Sequence, residues 1–171
     1  MSNEMVRVQL VTGAALHVGS GQADGLTDDL LRRTAAGELF IPGSAIAGPL
    51  RAIATRLAPR LGMGTCKALT GGGELCQCQV CALFGEINPQ EGNEQGGKAS
   101  ALWAYDAYPA ATTGDGATAI RDGVGIERGT GAAASSSAVK FDLEALPAGA
   151  TFDLRMELRA PGGEVDEASR Q

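Results

Sequence analysis

Val6, Val8, Leu10, Ala14, Leu16 and Val18 share one parity, with Arg7, Gln9 and His17 on the other. Such alternation predicts a half-buried strand, bulged at Gly13, whose even face joins the core and whose odd face is polar. Gly19 to Gly25 is rich in turn formers, and a short strand follows at Glu38 to Ile41. Pro42-Gly43 stops that strand and leads into a helix capped by Ser44. Ile46, Leu50, Ile53 and Leu57 recur at helical spacing along one apolar stripe, Pro49 costs the helix a hydrogen bond, and Pro59 with Gly62 ends it. Ala99 to Tyr108 reads as a buried strand carrying the single tryptophan, Trp103. Val139, Phe141 and Leu143, then Phe152, Leu154, Met156 and Leu158, alternate with polar residues on either side of Leu146-Pro147-Ala148-Gly149. This pattern predicts an antiparallel hairpin with one polar and one apolar face. Asn88 to Gly97, Pro109 to Ala119 and Ala132 to Ala138 read as loops, and the tail after Ala160 has no core residues and is expected to be disordered.

The chain of 171 residues suffices for one cored domain. Aromatic residues make up only 4% while glycines number 25, which points to sizeable loops. No apolar run approaches a membrane span and the first residues lack a signal-peptide core, so a cytoplasmic location is expected. The net charge of −6 argues against nonspecific attraction to polyanions. Eleven of the 14 basic residues are arginine, however, and arginine suits discrete bidentate phosphate contacts.

Cys66, Cys76, Cys78 and Cys81 fall within sixteen residues, and without secretion signals this clustering favours metal over disulfides. Cys78-Gln79-Val80-Cys81 is the C-x-x-C knuckle of zinc sites, with Cys66 and Cys76 completing four ligands. Such a closed zinc site is structural; His17 could replace one thiolate, and an iron–sulfur cluster is the weaker alternative. Four thiolates with Zn²⁺ would take the formal charge from −6 to −8.

The stretch from Leu16 to Arg51 carries the remaining chemistry. Backbone N–H groups of Gly19, Ser20, Gly21, Gly43 and Ser44 can face an anion, forming a cradle for an RNA backbone beside the acids Asp28 and Asp29. Locally an aspartate there most often shapes a turn or cap; the alternative is a general base or a metal-bound carboxylate near a phosphodiester. His17 reads as a surface or supporting residue rather than a base. Arg51, close to the Ile41-Pro42-Gly43-Ser44 turn, is the first choice for a phosphate contact, against the default of a solvated helix arginine. Arg121 and Arg128 flank Val124 and Ile126 in a glycine-bounded excursion suited to a hairpin touching nucleic acid, or to an ordinary surface hairpin.

The series of motifs resembles the RAMP superfamily of CRISPR effector proteins, specifically the repeated backbone subunit of type III complexes. Asp28 stands thirteen residues before Ile41-Pro42-Gly43-Ser44, and Gly48-Pro49-Leu50-Arg51 follows at the family's spacing. Leu16 to Gly19, Cys78 to Gly85, Gly97 to Ser100, Asp106-Ala107, Arg121 to Arg128 and Leu143 to Gly149 also correspond, so the resemblance covers roughly residues 6 to 159.

The resemblance implies an α+β fold, an RRM-like (ferredoxin-like) antiparallel sheet over residues 1–160, incomplete at its C-terminal end. A zinc-bearing insertion would occupy about 62–98, a thumb hairpin about 109–138 and a disordered tail 161–171. It implies CRISPR RNA, target RNA and other effector subunits as partners, or a chain completing the domain. Asp28 takes the family's catalytic position for cleavage of complementary target RNA, with Mg²⁺ or Mn²⁺ orienting attack of a flipped nucleotide's 2′-OH on the adjacent phosphate. His17, Gly19, Ser20, Gly43, Ser44, Arg51, Arg121 and Arg128 are the expected RNA contacts.

Ala47 stands where the family pattern has lysine, which removes one backbone contact, and the family's IDR triplet reads Ile126-Glu127-Arg128. The C-terminal half of the family domain is absent from this sequence, as in a truncated chain, a split subunit or one segment of a fusion. Two other functions fit the same residues: a noncatalytic guide-RNA scaffold, and a zinc-stapled protein-interaction domain without an RNA role, which the acidic balance favours.

Overall fold

The computed structural model describes residues 3–64, 66, 76, 78–86, 97–110, 118–133 and 140–159. Strand β1 (Glu4–Val11) is followed by helix α1 (Gly43–Leu57), a 3₁₀ turn at Ala58–Leu61 and the short helix α2 (Gln79–Phe84). Strands β2 (Leu102–Ala104), β3 (Tyr108–Pro109), β4 (Ala119–Val124), β5 (Lys140–Ala145) and β6 (Thr151–Leu158) complete the order. The architecture is mixed α and β, with antiparallel pairing and few helices. Among the described residues no helix is long and apolar enough to cross a membrane.

The chain divides into two compact units, and β1 and β6 contribute residues to both. Unit 1 comprises Met1–Arg7, Pro42–Tyr105 and Arg155–Gln171; unit 2 comprises Val8–Ile41 and Asp106–Leu154. One sheet has the strand order β1-β6-β2 with β3 also paired to β6, and β4 and β5 form a separate ribbon.

In unit 1, β2 pairs with the end of β6 in the register Leu102↔Leu158, Trp103↔Glu157 and Ala104↔Met156. Glu157 collects hydrogen bonds from Asn3 Nδ2 at 2.8 Å, Tyr105 O–H at 2.7 Å and Arg159 at 3.0 Å. The Arg159 contact, with that of Tyr105, holds the Glu157 carboxyl below its ordinary range. The guanidinium of Arg159 also lies over the Trp103 ring and that of Arg155 over the Tyr105 ring, at 4.4 and 4.0 Å. Trp103 is 48% exposed, so the strand predicted to be buried is neither buried nor continuous: Tyr105 to Ala107 interrupt it between β2 and β3.

Helix α1 starts two residues earlier than the Ser44 cap predicted. Pro42 is the N-cap, no side chain caps the helix, and Ala45 and Ile46 donate to the Pro42 carbonyl at 2.9 and 3.3 Å. Proline suits this place because its missing N–H and restricted φ cost nothing at a helix entry. The next residue must be glycine, since a Cβ at Gly43 would overlap the Ala104 carbonyl. Pro49 lies inside the helix without breaking it. Only half of the predicted apolar stripe is covered: Ile46 and Leu50 are half-buried, while Ile53 and Leu57 are 46% and 45% exposed.

Unit 2 holds most of the buried apolar residues described, with Phe152, Leu154, Leu146, Ala145, Leu31, Leu39, Ile41 and Ala107 at its centre. Residues 16–41 are attached by isolated bridges rather than long strands: Leu16↔Leu146, Gly19↔Leu31, Asp29↔Leu143, Arg33↔Leu39 and Ile41↔Ala107. The predicted strand through Val18 therefore ends at Val11. Val6 and Val8 of its expected core face are more than a third exposed, because alternation fixes which residues share a face and not whether another layer covers it.

The predicted pairing of residues 139–143 with 152–158 does not form. β5 pairs instead with β4 from Ala119↔Ala145 to Val124↔Lys140, and β3 pairs with β6 at Tyr108↔Asp153 and Pro109↔Phe152. Gly149, at φ +90°, donates to Thr12, and the Thr12 N–H donates to the Ala150 carbonyl at 2.9 Å. The turn thus delivers the chain to the segment after β1 rather than back onto β5. The tail after Ala160 and most of the loop at 88–97 lie outside the described residues.

Candidate functional site

The neighbouring acids Asp28 and Asp29, both in unit 2, are held in different ways. Their N–H groups both donate to the Asp142 carbonyl on β5, at 3.1 and 3.2 Å. Asp29 turns inward, where Oδ2 meets His17 Nε2 at 3.2 Å and Oδ1 accepts the Gly21 N–H at 3.2 Å. The other ring nitrogen of His17 lies 2.6 Å from the Glu144 carbonyl oxygen. Both nitrogens of His17 therefore face acceptors, and the ring clamps the 16–21 turn to β5. Gly19 makes room for this pair, because a Cβ there would strike Asp29 Oδ2 and His17 Nε2.

Asp28 faces outward and is exposed, its Oδ2 accepting the Asp142 N–H at 2.9 Å. No cation pairs with it among the described residues. Negative charge gathers around it: desolvation, then the charges of Asp122 and Asp28, raises the Asp142 carboxyl above its ordinary range. Arg121 is exposed on the same ribbon, opposite Leu143, and Arg128 is exposed in the turn closed by the bridge Ile126↔Ala133 that follows β4.

Two amides of the expected cradle, those of Ser20 and Gly21, are used within the fold. The Ser20 N–H donates to the Leu30 carbonyl at 2.8 Å and the Gly21 N–H to Asp29. Side chains face outward instead, around an open polar pocket of about 250 Å³ lined by Ser20, Gln22, Leu30, Leu31, Arg32, Arg33 and Thr34. Arg33 is committed to Glu144 at 2.6 Å, whereas Arg32 contacts only the Gly19 carbonyl, at 3.5 Å, among the described residues. Glu144 is 6% exposed and also accepts from the Leu31 N–H and the Thr118 hydroxyl. Burial pushes its carboxyl upward, but the bonds from Thr118, Leu31 and Arg33 outweigh it and leave the group below its ordinary range. Neither Arg32 nor Glu144 stood out in the sequence. An acid between Leu143 and Ala145 in an apolar strand was the available signal for Glu144.

In unit 1 the four cysteines come together, and their sulfurs all lie within 4.8 Å of one another. A zinc tetrahedron with ~2.3 Å bonds has edges of roughly 3.8 Å, so the set fits such an ion. Cys78 caps α2, with its sulfur accepting the Cys81 N–H at 3.4 Å. Cys66 and Cys81 sulfurs are 3.5 Å apart. Burial, then the crowding of Cys66 and Cys78, pushes the Cys81 thiol up, and burial likewise raises Cys78. A bound dication reverses that preference, since a coordinating thiol is deprotonated outright. The alternative in which His17 replaces a thiolate is not needed: His17 belongs to the Asp29 pair, and four thiols complete the set.

Charged side chains flank this centre. Arg51, from α1, donates to the Gly85 carbonyl at 2.9 Å and to Cys81 Sγ at 3.5 Å. Glu86 Oε1 accepts the Cys76 N–H at 2.6 Å, and Glu86 Oε2 is buried without a hydrogen-bond partner among the described residues. Gly43 is buried and Ser44 is exposed in the first turn of α1.

The fold and site define a mixed α/β protein with antiparallel sheets and a four-thiol centre able to hold a metal such as zinc. The chain matches the RAMP superfamily over residues 9–168 and belongs to it. Among solved structures it is similar to a chain of the cryo-EM structure of the Type III-B Cmr-beta bound to cognate target RNA, at 16% identity and a TM-score of 0.59. The likeness is one of fold; it covers 92% of this chain and 47% of the other, so this chain spans about half the length of that neighbour. No curated protein matches.

Proposed function

We propose that this chain is a CRISPR RNA-binding backbone segment of a type III effector that cleaves complementary target RNA at Asp28 with Mg²⁺ or Mn²⁺. The observation that carries the catalytic part is the difference between the two acids. Asp29 is occupied by His17 and Gly21, while Asp28 is exposed and without a cation among the described residues, thirteen residues before Ile41. An outward carboxylate can help hold a divalent ion beside a phosphodiester. With the nucleotide splayed out, the 2′-OH of the adjacent ribose would attack phosphorus in line, giving up its proton and expelling the 5′-oxygen of the next nucleotide to leave a 2′,3′-cyclic phosphate. Superfamily membership and the Type III-B neighbour support the RNA-guided setting.

RNA contacts are assigned to Ser20 and Arg32 at the polar pocket, to Ser44 at the start of α1, to Arg121 on β4, and to Arg128 in the turn after it. Gly19, Gly43 and His17 act there by letting the backbone approach closely and by fixing the turn. Zinc is the metal that the four-thiolate set suits, in a structural role.

The test is target cleavage by the assembled effector. Asp28→Ala should abolish cleavage while guide and subunits still assemble, and Asp29→Ala should impair assembly or folding first. Full cleavage by Asp28→Ala would instead favour the second reading, a noncatalytic guide-RNA scaffold. The bond from the Asp142 N–H to Asp28 Oδ2 motivates that alternative, because it gives the residue a structural job.

A further inference from the structure

We propose that Arg51 is a positioning residue of the four-cysteine metal centre, and that it holds α1 to that centre rather than to a phosphate. The inference rests on the reading of the thiols as a zinc site.

Arg51 stands at the ninth position of the 15-residue helix α1, where its side chain can reach α2. One guanidinium nitrogen is 2.9 Å from the Gly85 carbonyl, which closes α2, and the other is 3.5 Å from Cys81 Sγ. Cys81 is wholly buried and its own carbonyl accepts the Gly85 N–H at 3.0 Å, so the fork fastens onto one rigid corner. Gly85 is fixed there: its φ is +79°, and a Cβ would strike the Lys98 carbonyl and the Ser100 N–H.

A Zn²⁺ with four thiolates carries a net charge of −2, and Glu86 adds a carboxylate that accepts from Cys76 at 2.6 Å. Cys81 is the one buried thiolate of the four, and so the one most in need of a donor aimed at its sulfur. A guanidinium N–H on a thiolate is a charge-assisted hydrogen bond, which draws charge from the sulfur and fixes its lone pairs toward the metal. Lysine would bring the charge but not the fork that spans carbonyl and sulfur together. In this arrangement the arginine after Pro49-Leu50 couples helix placement to metal occupancy.

The experiment uses the full chain purified with zinc, and Arg56→Ala, altered at an exposed position on the same helix, as the control. Zinc content by elemental analysis should be about one per chain, and competition with a chromophoric chelator gives the affinity. Arg51→Ala should lose about 10–100-fold in zinc affinity, the range for removal of a partner that orients a metal ligand. With Co²⁺ as probe, its thiolate-to-metal band should move, whereas Arg56→Ala should match the parent. Arg51→Lys should retain part of the affinity yet show the altered Co²⁺ spectrum, which keeps the test decisive if the alanine variant fails to fold.

Parent chain that takes up neither metal would overturn the zinc reading itself. Parent chain with one zinc, and Arg51 variants of unchanged affinity and spectrum, would overturn only the role of Arg51. Guide-RNA binding supplies the opposing outcome: unchanged zinc affinity in Arg51→Ala with a salt slope flatter by about one unit would return this arginine to a phosphate.

Discussion

Glu144 shows how a single buried carboxylate organises the candidate acid site. It receives the Leu31 N–H, the Thr118 hydroxyl and Arg33, while its backbone carbonyl meets His17 and its N–H donates to the Asp29 carbonyl. Because its folded-state carboxyl titrates below the ordinary value of 4.5, the unfolded chain binds more protons in that range. Its stabilisation is therefore complete above the ordinary value and is lost as pH falls through the lowered one. Glu144→Gln should cost about 1–3 kcal/mol at neutral pH, toward the lower end because Arg33 is more than a third exposed. The gap between variant and parent should close in acid, as urea midpoints between pH 3 and 7 would show. The preference for Asp28 over Asp29 was legible in the sequence only as a spacing. What separates them physically, the His17 clamp, depends on a bridge between Gly19 and Leu31 that no local pattern announces.

Among the elements, α1 was the most legible: its proline entry, its apolar positions and its proline–glycine ending all appear in the sequence, and its start moved by two residues. Gly48 lies exposed inside this helix, with open space where a Cβ would stand. Gly48→Ala should therefore stabilise the chain by about 0.5–1 kcal/mol, measured as a rise in thermal midpoint. The strands were legible as segments and illegible as partners. Polar and apolar alternation placed β5 and β6 correctly and then suggested joining them, whereas β5 completes a ribbon with β4. Period-two patterning specifies a face, and the choice of neighbour is made by packing between distant residues such as Thr12 and Ala150.

For the whole molecule, the buried apolar residues are unevenly shared. Among the described residues unit 1 buries Ala58, Val80 and Cys81, and unit 2 holds the rest. A unit with so little core leans on a staple, and structural zinc contributes on the order of 10 kcal/mol in small domains. Chelation should accordingly loosen unit 1 first. Trp103, the single tryptophan, belongs to that unit and should report the change by a red shift in fluorescence before circular dichroism of the whole chain collapses. Simultaneous loss of both signals at one chelator concentration would show that the units melt together. The cysteine cluster was legible because metal ligation imposes spacing on the sequence, while the arginine and glutamate that flank it carry no comparable signature.

The boundaries between the units fall after Arg7, Ile41, Tyr105 and Leu154, so the polypeptide passes from one to the other four times. No single cut can therefore release either as an uninterrupted fragment. Anyone wishing to study one alone must rejoin its segments with new linkers, or exchange the order of the termini, and a protease that nicks any one of those junctions leaves both still threaded by the others.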